Sequence, residues 1–551
     1  MAAAAVSGEA YKYVVVGGGT CGCVLADRLT EDKANSVLVL EAGTGKHRDK
    51  NIKVPVGILR LFRSAFDWQY ETEREEHAGD RGIYLARGKV LGGSSCLNAM
   101  LYTRGASADY NSWGVKGWSA EEVLPYFRRS EGNRNLPAGD YHGKDGAYSV
   151  EFVRYKNPLH KLFHEACLQA GLPTNDDFNN WSRSQEGLGA FQCAQKFGRR
   201  VTAASSYLKR AMKRKNLAIE TQAHATRVLF DGDKAIGVEY VKDGEKQVAK
   251  IQQGGEVLMC GGAINSPQLL LLSGVGPADH LQAKGVPVVK DLQGVGANLQ
   301  DQPAVTVMSD VGKPISITDD IFKKGSTKVR PSAALKWLLF GRGPLTSPGC
   351  DHGGFLKTKA DLPEADLQIR FVPGRAETPD GVQAYRNIGD SGQFNSGVTV
   401  QVIGCRPKSR GHLKLKSSDP FEKPEIVVNY LDEQEDVRTL VRGVEIARTI
   451  LAQDSFKGTV TKEVFPGPST SGEQSVQQYI SSSVHSANAI AGTCKMGEGD
   501  DAVVDNNLRV KGLKSLRVVD TSVMPSVPGG QLASVAVMIA EKAADMILQK
   551  A

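Results

Sequence analysis

The chain has 551 residues, well beyond the ~250–300 at which a single hydrophobic core stops growing, so two domains, or one large α/β domain with an appended part, are expected. Apolar residues at 41% and charged residues at 23% exclude bulk disorder. The net charge of +7 comes from 68 basic and 61 acidic residues interspersed along the chain, and without a long basic block nucleic acid is not an expected partner.

No apolar run reaches the ~18 residues needed to cross a membrane. The leading MAAAAVSGEA lacks the length and basic start of a secretory signal, so no targeting segment is expected in this chain. Nine cysteines, an odd number without metal or disulfide spacing, read as free thiols in a reducing compartment. Glycine is in excess at 60 residues, and many of them cluster in short runs, among them 17–22, 92–93, 274–276, 294–296 and 529–530, which predicts backbone passing close to something else.

In chain order, KYVVV (12–16) predicts a buried strand. Gly17, Gly19 and Gly22 then fit G-x-G-x-x-G, with a helix to Leu29 and a second strand, Val37–Leu40, ending at Glu41. The chemistry follows from the spacing. Gly17 makes the tight turn, Gly19 admits a pyrophosphate to the backbone, and Gly22 lets helix and strand pack closely. The helix start supplies amide donors, and Glu41 sits where a ribose hydroxyl would be bound, favouring NAD or FAD over NADP. Gly92-Gly93-Ser94-Ser95 predicts a second ligand-wrapping loop running into a helix. Strands are expected at 227–230, 235–241 and 256–259. In the following helix Ser266 reads as the cap, Pro267 as the first helical residue and Gly274 as the stop.

From 306 the pattern changes to period two. Leu367, Ile369 and Phe371 alternate with Gln368 and Arg370, and Val398, Val400 and Val402 alternate with Thr399 and Gln401, predicting an antiparallel sheet with a polar row containing Arg370 and Gln401. Residues 376–397 read as a polar loop. Near the end, a strand closing on Asp520, the Pro-Gly loop 525–530 and an amphipathic helix to Leu548 predict a return to the first domain.

Together these segments resemble the GMC flavoprotein oxidoreductases, over nearly the whole length. The residues that carry the resemblance are the N-terminal fingerprint, the signatures at 88–98 and 262–276, and the VVD and PGG motifs at 518–520 and 528–530. The resemblance implies an α/β plus α+β fold: a Rossmann-like FAD-binding domain, mainly 10–305 with substrate-side insertions at about 106–196, an antiparallel-sheet substrate domain at 306–482, and a segment, 483–548, that rejoins the FAD domain. It implies FAD as cofactor, with Gly17, Gly19, Thr20, Cys21, Gly22, Glu41, Val90, Ser94, Asn98, Ala99, Met100, Leu101, Ala225 and Ala533 at cofactor-contacting positions. Most of the glycine runs should then press against that one FAD. No metal ligand set is expected.

Two departures narrow the activity. Alcohol-oxidising members pair a His with a second His or Asn; here His485 fits the first position but the second is Gln531, whose amide is no base near neutral pH. The usual Asp-His reads Asp301-Gln302. The segments LTSPGCDHGGF (345–355), DLQIRFVPG (366–374), VTVQVIGCRP (398–407) and HSANAIAGTCKMG (485–497) are similar to the microalgal fatty acid photodecarboxylase branch. That likeness implies blue-light-driven decarboxylation of long-chain fatty acids, with Cys350, Arg370, Asn488 and His485 in catalysis and Cys350, Arg370, Tyr385 and Gln401 at the substrate. It further implies a monomer, a chloroplast setting and peripheral contact with thylakoid-type membranes. The other readings are an FAD-dependent alcohol or choline oxidoreductase and a non-enzymatic flavin photosensor. Left to residue type alone, Arg370 also fits an ion pair with Asp366 or Glu364, and Cys350 a small buried hydrophobe.

Overall fold

The computed structural model describes residues 9–323, 326, 328–379 and 396–549. The elements that position the site are, in order, β1 (Ala10–Val16), α1 (Thr20–Leu29), β2 (Val37–Glu41), β3 (Gly187–Ala190), β4 (Leu217–Thr221), β5 (His224–Asp231), β6 (Lys234–Lys242), β7 (Glu245–Met259), α2 (Gly262–Leu272), β8 (Pro303–Val311), α3 (Pro331–Phe340), β9 (His352–Leu356), β10 (Leu367–Val372), β11 (Gly397–Gly404), α4 (Gln434–Leu451), β12 (Val460–Phe465), β13 (His485–Ser486), β14 (Leu516–Val518) and α5 (Leu532–Ile547).

The first sheet runs β4-β2-β1-β7-β6-β5, with β14 added along β7. β1, β2, β4, β14 and the end of β7 (256–259) run parallel, and β1, β2 and that end of β7 are largely buried on both faces, which is why Val14, Val15, Val37 and Val257 read as unbroken apolar runs. Each such valine contributes about 1.5–3 kcal/mol by leaving water. The β1–α1 turn requires glycine. A Cβ on Gly22 would lie 1.9 Å from the Gly17 carbonyl oxygen, so α1 sits closer to β1 than any side chain permits.

The second sheet runs β12-β8-β11-β10-β9-β3, with β13 beside the start of β8. It draws a strand from 187–190 and another from 485–486, so segments far apart in sequence meet in it. One face, with Leu367, Ile369, Phe371 and the three valines of β11, packs under α4; a Cβ on Gly443 would meet Val402 Cγ1 at 2.3 Å, which sets how near the helix lies. The other face looks into a cavity.

Three local expectations are corrected. Helix α2 begins at Gly262, so Ser266 and Pro267 lie inside it. Proline is tolerated there because the carbonyl it leaves unpaired, that of Ala263, accepts a hydrogen bond from the Thr493 hydroxyl (2.7 Å), while Ser266 donates to Asp520 (2.6 Å). The 92–95 loop closes in a single 3₁₀ turn, Gly93–Cys96, rather than a longer helix. Helix α5 is not amphipathic. It is buried on nearly every side, and its charged residues Glu541 and Asp545 are met by Arg28 and Arg129, with the Tyr207 hydroxyl donating to Glu541 (2.7 Å).

Candidate active site

A cavity of about 610 Å³ runs from the β1–α1 turn to the polar face of the second sheet. At its first end Gly17, Gly19, Thr20 and Cys21 form the wall. Gly19 caps α1 without any side-chain hydrogen bond, leaving the first-turn amides for a ligand. The nearest atoms to a Cβ on Gly19 are 3.8 Å away, so this face is open, whereas one on Gly17 would lie 2.5 Å from Cys260 O. Glu41 accepts from the amides of Gly18 (2.9 Å) and Gly43 (2.6 Å), and burial raises its pKa. The 3₁₀ turn bears down from the other side: Gly93, in the left-handed region at φ 52°, would place a Cβ 2.7 Å from Gly19 Cα. The start of α5 completes the enclosure with Gly530, Leu532 and Ala533, and Cys21 Sγ donates to the carbonyl of Ala536 (3.2 Å). Two glycine-shaped backbone surfaces, two uncapped helix starts and a carboxylate suit a dinucleotide with a pyrophosphate.

At the other end the register of the second sheet aligns the polar side chains. Arg370 on β10 lies opposite Gln401 on β11, and Gln401 opposite Thr306 on β8. Arg370 is buried, and among the described residues its guanidinium donates only to side-chain amides, to Gln368 Oε1 (3.1 Å) and Gln401 Oε1 (3.5 Å). Among the described residues its Nε has no partner and no carboxylate pairs with it. Asp366 instead accepts from Thr358, so the ion pair open to Arg370 in sequence is not made with it. Burial lowers the pKa of Arg370, and the neighbouring Cys350 is the group that raises it.

The two glutamines extend the network in opposite directions. Gln401 Nε2 lies 3.0 Å from His485 Nε2, and His485 Nδ1 lies 3.3 Å from Ser483 O. Because Gln401 is the donor to Nε2, the imidazole carries its proton on Nδ1. On the other side Gln531 Nε2 donates to Gln368 Oε1 (2.9 Å), and the Thr103 hydroxyl donates to Gln531 Oε1 (2.7 Å). Asn488, at φ 63°, accepts the Ala86 amide on Oδ1 (2.9 Å). Cys350 borders the cavity as a thiol; burial pushes it up to about 11, partly offset by Arg370. Beyond this polar row the same sheet face turns apolar with Val372 and Met308, and the cavity continues between Ile317, Ile321 and Phe322.

The GMC oxidoreductase family model matches residues 11–304, and its C-terminal counterpart matches 407–540. The chain is a GMC oxidoreductase. It is 44% identical to the chloroplastic fatty acid photodecarboxylase of Chlamydomonas reinhardtii, over 99% of this chain and 92% of that protein. It is 40% identical to the mitochondrial choline dehydrogenase of Mus musculus, over 99% of this chain and 91% of that one. It is 37% identical to an alcohol dehydrogenase (acceptor) of Pseudomonas putida, over 98% and 96%. Among solved structures, formate oxidase of Aspergillus oryzae aligns with TM-score 0.90 at 26% identity, over 99% of both chains. Like its family, this GMC oxidoreductase is an FAD flavoprotein, and the fingerprint end of the cavity fits that cofactor.

Most cofactor positions read from the sequence border the cavity: Gly17, Gly19, Thr20, Cys21, Glu41, Ser94, 98–101, Ala225 and Ala533. Gly22 and Val90 do not. Gly22 serves the α1–β1 packing, and Val90 is fully buried in a small cluster with Ile52, Leu61 and Leu97. The glycine runs at 274–276 and 294–296 also miss the cavity. Cβ atoms there would strike Pro287 O (2.2 Å), Asp501 O (2.3 Å) and Leu413 O (2.1 Å), so these glycines serve close packing of the chain on itself. Cys350, Arg370, Gln401 and Asn488 come together at the sheet end. His485 does not border the cavity but stands one layer behind Gln401, because β13 pairs with the start of β8. Tyr385 lies outside the described residues. The amides of Gln368 and Gln531 and the apolar walls Met308, Val372 and Phe322 were not singled out as substrate-side residues in sequence. Gln368 could have been, since it shares the period-two face of Arg370.

Proposed function

We propose that this GMC oxidoreductase decarboxylates free long-chain fatty acids in blue light, giving an alkane or alkene one carbon shorter and CO₂, in a chloroplast. The observation that carries the reading is Arg370: a buried cation at the cavity wall that, among the described residues, is held by amide oxygens alone and has an unpartnered Nε. A buried charge without a counter-ion is costly, and a carboxylate entering the cavity offsets that cost. For the simplest product the overall change is R–COO⁻ + H⁺ → R–H + CO₂. The bound FAD, once excited, supplies the one-electron oxidant.

The protein's own groups meet the remaining needs. Arg370 binds the acid in its ionised form, and Gln368 and Gln401 hold the guanidinium in place. Asn488, with Oδ1 engaged by Ala86, offers its amide N–H groups to the carboxylate. Cys350 keeps its proton below about pH 11 and so provides an S–H beside the cavity, a source for the proton or hydrogen that the alkyl fragment takes up. The walls Met308, Val372, Ile317 and Phe322 exclude water from the acyl chain. No base is required, which accounts for an amide at 531.

Choline or alcohol oxidation is the competing reading, supported by the relatives at 37–40% identity. A trimethylammonium substrate would meet the like charge of Arg370, and Gln531 cannot take its hydroxyl proton. Blue light on the FAD-loaded protein with palmitate is expected to release pentadecane and CO₂. Light-independent alcohol oxidation without alkane would overturn the proposal, and a flavin photocycle without product would favour a sensor. Arg370→Lys and Cys350→Ser are expected to cut alkane yield severely while FAD is retained.

A further inference from the structure

Helix α3 is folded with its apolar side outward. Leu335, Leu338 and Leu339 share one helical face, and with Phe340 they are 56%, 57%, 65% and 64% exposed. The face toward the protein carries the small Ala333, with Trp337 tied down by its indole N–H to Gly198 O (2.8 Å). A strand tip extends the patch: Phe197 is 49% exposed, and its carbonyl oxygen lies 2.2 Å from where a Cβ on Gly341, the residue closing α3, would be. An apolar helix face of this kind does not remain in water without a partner.

The charge around it is mainly positive; the acid at the Phe197 tip, Glu151, is buried, accepts from the Gly198 amide (2.8 Å) and pairs with Arg134 and Arg154. From Ile321 to Cys350 the sequence contains Lys323, Lys324, Lys328, Arg330, Lys336 and Arg342 and no acidic residue. Arg199 stands over the Trp337 ring at 5.6 Å, and Arg134 over Phe197 at 4.3 Å. The nearest acids in sequence are occupied, Asp319 by Ser316 and Ser396 and Asp320 by Tyr155. A second copy of the chain is a poor occupant, because pairing this patch with itself would bring these cations together. An anionic bilayer satisfies both features, its acyl region taking the leucines and its head groups the lysines and arginines.

The helix is also joined to the cavity. Ile321 and Phe322 border the apolar arm, and they pack in one cluster with Ala333, Leu345 and Trp337, so one layer of side chains separates α3 from the cavity.

We infer that α3 and the Phe197 tip dock this protein on an anionic lipid surface, with the apolar arm of the cavity facing the bilayer that holds its ligands. Docking stands on the surface alone; only the delivery of a lipid-soluble acid rests on the function proposed above.

The test uses the FAD-loaded full chain in the dark, without substrate, sedimented with vesicles of phosphatidylcholine containing 30% phosphatidylglycerol. The expected results are binding that weakens at least tenfold between 50 and 500 mM salt, and a further loss of at least tenfold in the double variant Leu338→Glu/Leu339→Glu, with Leu168→Glu, an equally exposed leucine elsewhere, binding like wild type. Flavin absorbance and turnover of a short, water-soluble acid should be the same in all three, which separates a docking failure from a failure of the catalytic reading. No binding by wild type, equal binding by the double variant, or a wild-type dimer that the double variant abolishes would each overturn the inference.

Discussion

Replacing Arg370 by Met should strengthen the ligand-free protein and weaken the bound one. Without a ligand the guanidinium is a buried cation whose hydrogen bonds to the described residues are two amide contacts at 3.1 and 3.5 Å, with Nε unpartnered among them. Methionine fills similar space without that desolvation cost, so unfolding in the absence of fatty acid is expected at equal or higher denaturant concentration. With a carboxylate bound, the same change removes the charge partner in a site closed to water. Truncating one member of a buried, hydrogen-bonded charge pair costs about 2–5 kcal/mol, roughly 30- to 4,000-fold in affinity. Calorimetric titration of palmitate into the dark, FAD-loaded protein measures this directly, with the alcohol of equal chain length as control, since its hydroxyl gains little from the cation. Unchanged palmitate affinity would refute the anchor role. Marked destabilisation of the ligand-free variant would show instead that the guanidinium holds the sheet together.

Gly93→Ala is expected to lower FAD affinity at least tenfold by absorbance titration, because the new Cβ would press on Gly19 Cα from a left-handed backbone that alanine disfavours. Met308→Trp, which shortens the apolar arm, should shift preference toward shorter acids, by about fourfold in relative kcat/KM for each methylene expelled. His142 tests a pH effect far from the flavin. Burial alone would lower its pKa, but Asp177 (2.8 Å) and Glu131 (3.2 Å) raise it to about 9. Its contribution, about 3 kcal/mol, is therefore complete below the unfolded value near 6.5 and is lost as pH rises through 9. His142→Gln should accordingly lower the urea midpoint strongly at pH 6 and little at pH 10.

The parts of the site that are local in sequence were legible. The strand, three glycines, helix and Glu41 form one continuous βαβ unit, and period-two alternation placed Arg370 and Gln401 on one face before any register was known. What failed depended on where distant segments land. His485 is expected among the catalytic residues, and pairing of β13 with the start of β8 sets it behind Gln401, off the cavity wall. The position of Pro267 inside α2 is permitted by Thr493, more than two hundred residues away. Glycine at 276 or 296 looks the same in sequence as glycine at 19, and only the approach of Leu271 or Leu413 shows that it serves packing rather than a ligand. The walls of the apolar arm were illegible for the same reason, since ordinary core residues become cavity walls by what is missing opposite them.

The enclosure of the fingerprint by α5 orders events in time. Cys21 is bonded to Ala536, and the Arg28–Glu541 and Arg28–Asp545 pairs fasten the second element of the chain to the last. A chain still emerging from the ribosome has the glycine turn and Glu41 but not the wall that closes over them. Tight flavin uptake is thus expected only once residues 532–547 have folded back over the fingerprint.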